Sequence, residues 1–207
     1  GGGAAIGVIQ QAAMAVATGV ADYVVVYRAF NERSGRRYSM GIGEGIVTAD
    51  LIHWSWYLPF GLLTPASWVA MFTQRYIHEY GLTGEDLAHV AVSTRKHAVN
   101  NPNAFFYDKE LTVAEHQASR FIAEPLRLYD CCQESDGGCA QVITTPERAR
   151  DLKQKGALIR GVAEAAARGQ ENMTSFYRPS ISSLPEKDPV AKQIYAQSGL
   201  SPNDIDA

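Results

Sequence analysis

The chain has 207 residues, 46% of them hydrophobic and 20% charged, with a formal net charge of −3. That length can bury a sizeable core, and the balance of residue types excludes a disordered or low-complexity chain. The slightly acidic charge gives no general drive toward nucleic acid or an anionic membrane, so any anionic ligand has to be met by a local patch.

The first 27 residues, GGGAAIGVIQQAAMAVATGVADYVVVY, carry no charge before Asp22. Their run of Ala, Val, Ile and Met without Pro predicts a helix, followed by a tight turn at Gly19 and a buried strand through Val24, Val25 and Val26. Ala12, Ala13, Ala15 and Ala17 leave the helix no wide polar face, so it is expected to be enclosed by other elements. Gln10, Gln11, Gly7 and Thr18 interrupt it too often for a membrane span, and no basic flank marks a signal peptide. Ahead of it stand Gly1, Gly2 and Gly3. Without side chains there, free backbone N–H groups at a positive dipole end are open to a substrate oxygen. This helix start is the candidate oxyanion and substrate site; the plain alternative is a glycine leader before a core helix.

Arg28, Arg33, Arg36 and Arg37 form the densest basic cluster, in a Gly- and Ser-rich stretch that reads as loop. They suit either the phosphates of a nucleotide-like ligand such as coenzyme A or a solvated loop or subunit contact. Gly41, Gly43 and Gly45 lack the spacing of a dinucleotide fingerprint. His53, Trp54, Trp56, Tyr57 and Phe60 make an aromatic segment that serves as a lid, a partner or substrate surface, or a piece tucked on the core.

Ala66 to Tyr80 is predicted as a helix with Trp68, Phe72, Tyr76 and Tyr80 on one face, ended by Gly81. Thr83 with Asp86 opens a short helix, and Thr112 with Glu115 opens another that Pro125 interrupts or ends. His78 and His89 lack the neighbours a metal needs and are expected at the surface. Asn-Asn-Pro-Asn at 100–103 is a turn. Ala140 to Thr144 is a strand, and Thr145 caps a helix starting at Pro146. Gly156 to Ala166, apolar at Ala157, Leu158, Ile159 and Val162, is expected as a strand, although its Ala-rich end also tolerates helix. The loop Thr174 to Leu184 offers Tyr177 and Arg178 as hydrogen-bonding groups for substrate, or is ordinary surface. Asp188 caps a helix to Ser198 with Pro189 in its first turn and Gly199 after its end. SGLSPNDIDA then reads as turn and entry to a further strand. The absence of an initial Met and this ending are expected to be cuts through a larger protein.

Three cysteines, two of them adjacent, make no disulfide framework, and a reducing cytoplasm is expected. Cys131 and Cys132 have no histidine partner nearby in sequence and are expected as buried structural thiols.

The opening unit, with Val20, Ala21 and Asp22 after the helix, resembles the thiolases, whose nucleophilic cysteine begins such a helix. Here that position falls within Gly1 to Gly3, so covalent acyl-enzyme chemistry is absent there. KHAVNNPNA, DCCQESDGG and QSGLSPNDID, in this order, resemble thiolases of the sterol-carrier-protein type. RKHAVNNPNAFFYDKELT and AEPLRLYDCC look most like the actinobacterial lipid-transfer-protein-like branch, which includes steroid side-chain aldolases. The resemblance runs from Gly1 to the C-terminus.

It implies an α/β fold: part of a layered α/β/α/β/α thiolase-like core with an inserted, mainly helical loop domain. Residues 1–38 and 128–187 would be the N-terminal core, 39–127 the insert lining a coenzyme A site, and 188–207 the start of the C-terminal half. It further implies retro-aldol cleavage of a β-hydroxyacyl-CoA to a ketone and a shorter acyl-CoA, with the thioester itself as substrate and no covalently bound cofactor or metal. Gly1, Gly2 and Gly3 would serve the developing enolate, while Arg28, Arg33, Tyr177 and Arg178 are candidate coenzyme A or substrate contacts. The catalytic proton-moving groups, tyrosines of the C-terminal half, would lie beyond Ala207. A homodimer and a small zinc-ribbon/OB-fold partner protein are also implied. A sterol-carrier-type acetyl-CoA acyltransferase and a non-catalytic acyl-CoA- or lipid-binding subunit are the other two readings.

Overall fold

The structure, a computed structural model, describes residues 4–35, 52, 55–166, 176 and 178–206. It divides into two units: Gly1–Phe30, Asp136–Gln170 and Leu184–Ala207 form one, Asn31–Ser135 and Glu171–Ser183 the other.

In the first unit, helix α1 (Ala4–Ala17) and strand β1 (Tyr23–Asn31) follow the apolar opening. Ile9, Ala12 and Val16 recur at helical spacing and pack with Val24 and Val26 of β1 and with Ile143. The helix stops where Gly19 adopts φ 74° and its N–H reaches Val16 O at 3.2 Å, as expected of the turn there. Strand β4 (Asp136–Thr144) pairs with β1. It is longer than expected because the acidic, Gly-rich turn itself extends. Thr144 Oγ1 donates to Asp22 O at 2.8 Å, while a Cβ on Gly138 would stand 3.3 Å from Ala29 Cβ, so the end of β4 lies beside the start of β1 and the strands run in opposite directions.

The expected full enclosure of α1 and β1 is corrected by the described residues. Ile6, Val8 and Met14 are exposed on the helix, as are Tyr23, Val25 and Tyr27 on the strand. An apolar surface permits burial on every side; what covers it depends on the elements that pack there.

Thr145 caps α5 (Pro146–Ala149), accepting Arg148 N–H at 3.4 Å. Residues 156–166 form no strand, contrary to expectation. The backbone N–H of Val162 donates to Gln197 Oε1 at 2.9 Å, and Arg160 Nη2 donates to Ser198 O at 2.8 Å. On α6 (Lys187–Ser198) the Gln197 side chain thus takes the Val162 N–H that a ladder would have used, and the Arg160 side chain adds a second tie to that helix. Helix α6 begins one residue earlier than the predicted Asp188 cap, which puts Asp188 in its first turn, and it ends at Gly199 (φ 68°) with the Gly199 N–H on Tyr195 O. Near the end, Pro202–Asp204 is a one-turn 3-10 segment, with Ser201 before it, rather than a strand entry.

In the second unit, α2 (Pro65–Tyr80) starts at a Thr64–Ser67 capping box and ends at Gly81. Trp68, at the inner end of the aromatic face, is 5% exposed and donates Nε1–H to Leu62 O at 2.7 Å. Tyr76 and Tyr80 stack at 4.6 Å on the exposed end. Helix α3 (Gly84–Val99) is longer than the short helix expected, and α4 (Val113–Ala118) is shorter. Helix α4 ends before Pro125, because Ser119 turns extended and its hydroxyl donates to His116 O at 2.7 Å. Pro125 lies instead in the connection of the antiparallel pair β2 (Phe121–Ala123) and β3 (Leu126–Arg127).

Three helical starts depend on carboxylates that reach back to a cap. Asp86 is held below the usual carboxylate range chiefly by the Thr83 backbone N–H, Glu115 by the Thr112 hydroxyl and Asp204 by the Ser201 hydroxyl. Depressed native values mean that the folded state binds these protons less readily than the unfolded chain. Their stabilisation is present above the ordinary carboxylate range and is lost as pH falls through the native values. Urea unfolding at pH 7 and again below about pH 4 is expected to show lower stability in acid. Replacing Asp86, Glu115 and Asp204 together by amides should flatten that dependence.

Candidate functional site

The start of α1 is the expected oxyanion and substrate site. Gly1, Gly2 and Gly3 lie outside the described residues, and so do Tyr177, Arg36 and Arg37. From Ala4 onward the helix carries no acidic residue in its first turn, leaving its positive end without an internal counter-charge. One carboxylate reaches this region from elsewhere. A Cβ built at Gly7 would collide with Oε2 of Glu164 and stand 2.9 Å from its Cδ and Oε1.

Of the four arginines of the basic stretch, Arg28 and Arg33 are among the described residues. Arg28 is exposed on β1, with its guanidinium 5.4 Å from the Phe30 ring centre. Arg33 is exposed in the turn after β1 and belongs to the other unit. Arg178 is half-buried in the returning segment of that second unit. There Phe176 seats against Tyr57 at 5.2 Å and Phe72 at 5.0 Å. Ser182 donates to Glu79 on α2, which also binds Arg75 at 2.6 Å. Arg178 is therefore carried by a segment with an anchor on each side. In the aromatic stretch, His53 and Trp54 lie outside the described residues, Tyr57 turns inward and Trp56 and Phe60 are exposed. His78 and His89 are exposed, as expected.

The cysteines differ from expectation. Cys132 and Cys139 are exposed and Cys131 is half-buried, and all three are free thiols. Burial pushes the Cys131 thiol above its usual range, and the neighbouring Asp130 adds to the effect. Less thiolate at neutral pH makes it a poorer nucleophile. With iodoacetamide at pH 7.5, mass spectrometry is expected to find Cys132 and Cys139 modified before Cys131; labelling of Cys131 first would contradict this environment.

Sequence reasoning missed the buried polar pair of the second unit. His116 is 0% exposed; its Nε2 stands 2.7 Å from Asp130 Oδ1 and its Nδ1 is 3.2 Å from Gln117 Nε2. Gln117 Nε2 also donates to Gly84 O at 2.7 Å, and Asp130 Oδ2 accepts the Arg127 N–H at 2.7 Å. The pair ties α3, α4 and the 3-10 turn Leu128–Asp130 together. A signal was present in the capping box at Thr112, which sets the helical phase of His116, but the partner lies 14 positions on and no local pattern indicates it. Among the described residues there is no cluster able to hold a metal ion, and no helix is long and apolar enough to cross a membrane.

No protein-family model matches the chain. Over 212 aligned residues it is 58% identical to the "Steroid side-chain-cleaving aldolase" of Thermomonospora curvata, covering 100% of this chain and 54% of that protein. The chain belongs to the thiolase-like family of this aldolase. A second family member, the "17-hydroxy-3-oxo-4-pregnene-20-carboxyl-CoA lyase" of Mycobacterium tuberculosis, is 53% identical over 207 residues, covering 99% of this chain and 54% of that protein. Weaker similarity reaches thiolases and sterol carrier protein 2. The solved structure "Ltp2-ChsH2(DUF35) aldolase" superposes with a TM-score of 0.89 at 57% identity, over 98% of this chain and 51% of that one. The α/β fold of this thiolase-like family is thereby shared. The chain spans about half the length of the curated relatives it matches.

Proposed function

We propose that the protein of which these residues are part is a carbon–carbon lyase acting on an acyl-CoA. It cleaves a β-hydroxyacyl-CoA bearing a steroid side chain by retro-aldol reaction into a ketone and a shorter acyl-CoA. The observation that carries this reading is the 58% identity along the whole chain to a side-chain-cleaving aldolase; the opening GGGAAIG, which contains no cysteine, supports it. The coenzyme A thioester is substrate, and no covalently attached cofactor takes part.

In this reading the N–H groups at the start of α1, with Gly1, Gly2 and Gly3, receive the thioester oxygen as it becomes an enolate. A helix start suits that charge, and the first turn of α1 carries no acidic residue of its own. Arg28, Arg33, Tyr177 and Arg178 meet the nucleotide or pantetheine portion, with segment 39–127 as the insert that lines it and 1–38, 128–187 and 188–207 as pieces of the two core halves. The intact enzyme works in the cytoplasm as a homodimer with a small zinc-ribbon/OB-fold partner. Support for a partner comes from the similar solved structure, whose name has two components.

The test is to incubate the complete enzyme and its partner with a branched β-hydroxyacyl-CoA and follow ketone release and acyl-CoA formation together. Equal amounts of both, unaffected by iodoacetamide, are expected. Thiolysis that iodoacetamide blocks, or an acyl adduct on any thiol during turnover, would instead identify an acyltransferase. Binding without turnover would identify a non-catalytic subunit.

A further inference from the structure

Residues 171–183 belong to the second unit, although the chain on both sides of them belongs to the first. Two side chains of α2 hold this excursion. Phe72 packs on the Phe176 ring at 5.0 Å, with Tyr57 edge-on to the same ring at 5.2 Å, and Glu79 accepts the Ser182 hydroxyl while binding Arg75 Nε at 2.6 Å. A carboxylate can only accept, so the Ser182 hydroxyl proton is committed to Glu79, and the Ser182 oxygen takes its other bond from the Ser180 hydroxyl at 3.0 Å. Phe72 and Glu79 stand two turns apart on one face of α2, roughly 10 Å along its axis. The chain from Phe176 to Ser182 could reach about 20 Å if extended. It therefore arches between its anchors, and Arg178 and Pro179 lie in the arch. The ring of Pro179 fixes its own φ and disfavours helical backbone at Arg178 before it.

From these anchors we propose that Phe72 and Glu79 are positioning residues that present Arg178 to the phosphates of the coenzyme A portion of the substrate. The inference deepens the reading above and rests on its assignment of Arg178 to coenzyme A. A guanidinium is planar and offers paired donors that match two oxygens of one phosphate, which is a strong contact when the group is held in place. An arginine on a loose loop loses part of that interaction to the ordering of its own chain on binding; one whose backbone is already tied on both sides does not. The two ties differ in chemistry, ring packing at Phe176 and a hydroxyl-to-carboxylate bond at Ser182. Losing either leaves the arch anchored at one end. The acyl and pantetheine parts carry no phosphate and gain nothing from Arg178.

The experiment uses the complete enzyme with its partner and measures, by calorimetry, the Kd of a saturated acyl-CoA that cannot react and of the same acyl group on pantetheine, which lacks every phosphate. Arg178→Ala is expected to weaken acyl-CoA binding by about 10–100-fold, the loss typical of a hydrogen bond to a charged group. Glu79→Ala and Phe72→Leu should each weaken it by roughly three- to tenfold, as ordering of the loop returns to the binding step. Acyl-pantetheine affinity should stay within about twofold of wild type in all three, and Glu79→Ala placed on Arg178→Ala should add less than about twofold, because the anchor acts through the arginine. A merely structural role would weaken both ligands and would add to the loss from Arg178→Ala. Ser182→Ala removes the same bond from the loop side and takes the place of Glu79→Ala if that variant does not fold; Ser182→Thr, which keeps the hydroxyl, should bind like wild type. Wild-type acyl-CoA affinity in Arg178→Ala overturns the inference, and so does a Glu79→Ala or Ser182→Ala loss that is absent, equal for both ligands, or additive with Arg178→Ala. A wild-type complex that binds acyl-CoA no more tightly than acyl-pantetheine overturns it as well. If the expected pattern of affinities is found in a complex that releases no ketone from a β-hydroxyacyl-CoA, the lyase reading falls and the role of these anchors stands.

Discussion

Replacing His116 by alanine is expected to lower the stability of the protein by about 3–5 kcal/mol, the combined loss of a large buried side chain and of its hydrogen bond to a carboxylate. His116 has no exposed surface and the Asp130 side chain is 8% exposed, so neither group recovers water when the other is deleted. The Gln117 amide, which also donates to Gly84 O, places a donor at His116 Nδ1 and leaves Nε2 to donate to Asp130. Alanine therefore strands an Asp130 oxygen, frees the Gln117 amide and opens a void between α3 and α4. In a chain of this size such a loss corresponds to a fall of about 6–20 °C in melting temperature. Asp130→Asn keeps the shape and one acceptor oxygen, and should lose clearly less than His116→Ala. Thermal and urea unfolding of the three proteins check this; a His116→Ala protein within about 1 kcal/mol of wild type would mean that the pair does not hold the unit together.

Trp68→Ala is the second large expected effect, about 3–5 kcal/mol. Trp68 is 5% exposed at the inner end of the α2 aromatic face, and its indole N–H donates to Leu62 O at 2.7 Å, closing the turn that leads into the helix. Alanine removes both the packed ring and the donor. Trp68→Phe separates the two, because it keeps most of the apolar volume and leaves the Leu62 carbonyl without the indole. The expected order of stability is wild type, then Trp68→Phe, then Trp68→Ala. Equal losses for both variants would assign the whole effect to the hydrogen bond. Tyr80→Ala, on the 61% exposed end of the same stripe, should change stability by less than about 1 kcal/mol.

Much of the local structure was legible in the residue order, because its causes act over three or four positions. Thr83, Thr112 and Thr145 cap helices where their sequence context places them. Gly19, Gly81 and Gly199 stop helices in the left-handed conformation that favours glycine. The phrases spread along the chain likewise contained the family, since similarity of sequence needs no coordinates.

Only the tertiary structure decided contacts between residues far apart in the chain. Propensity marked 156–166 as strand-like, but the Val162 N–H found Gln197 on α6 instead of a neighbouring strand. The apolar girth of α1 said that burial was favourable on every side, and packing by β1 and β4 covered one. Neither His116 with Asp130 nor Glu164 with Gly7 is announced by spacing. A helix cap closes a loop of a few residues and depends on local backbone angles alone, whereas these pairs form only when the intervening chain has folded and brought its ends together.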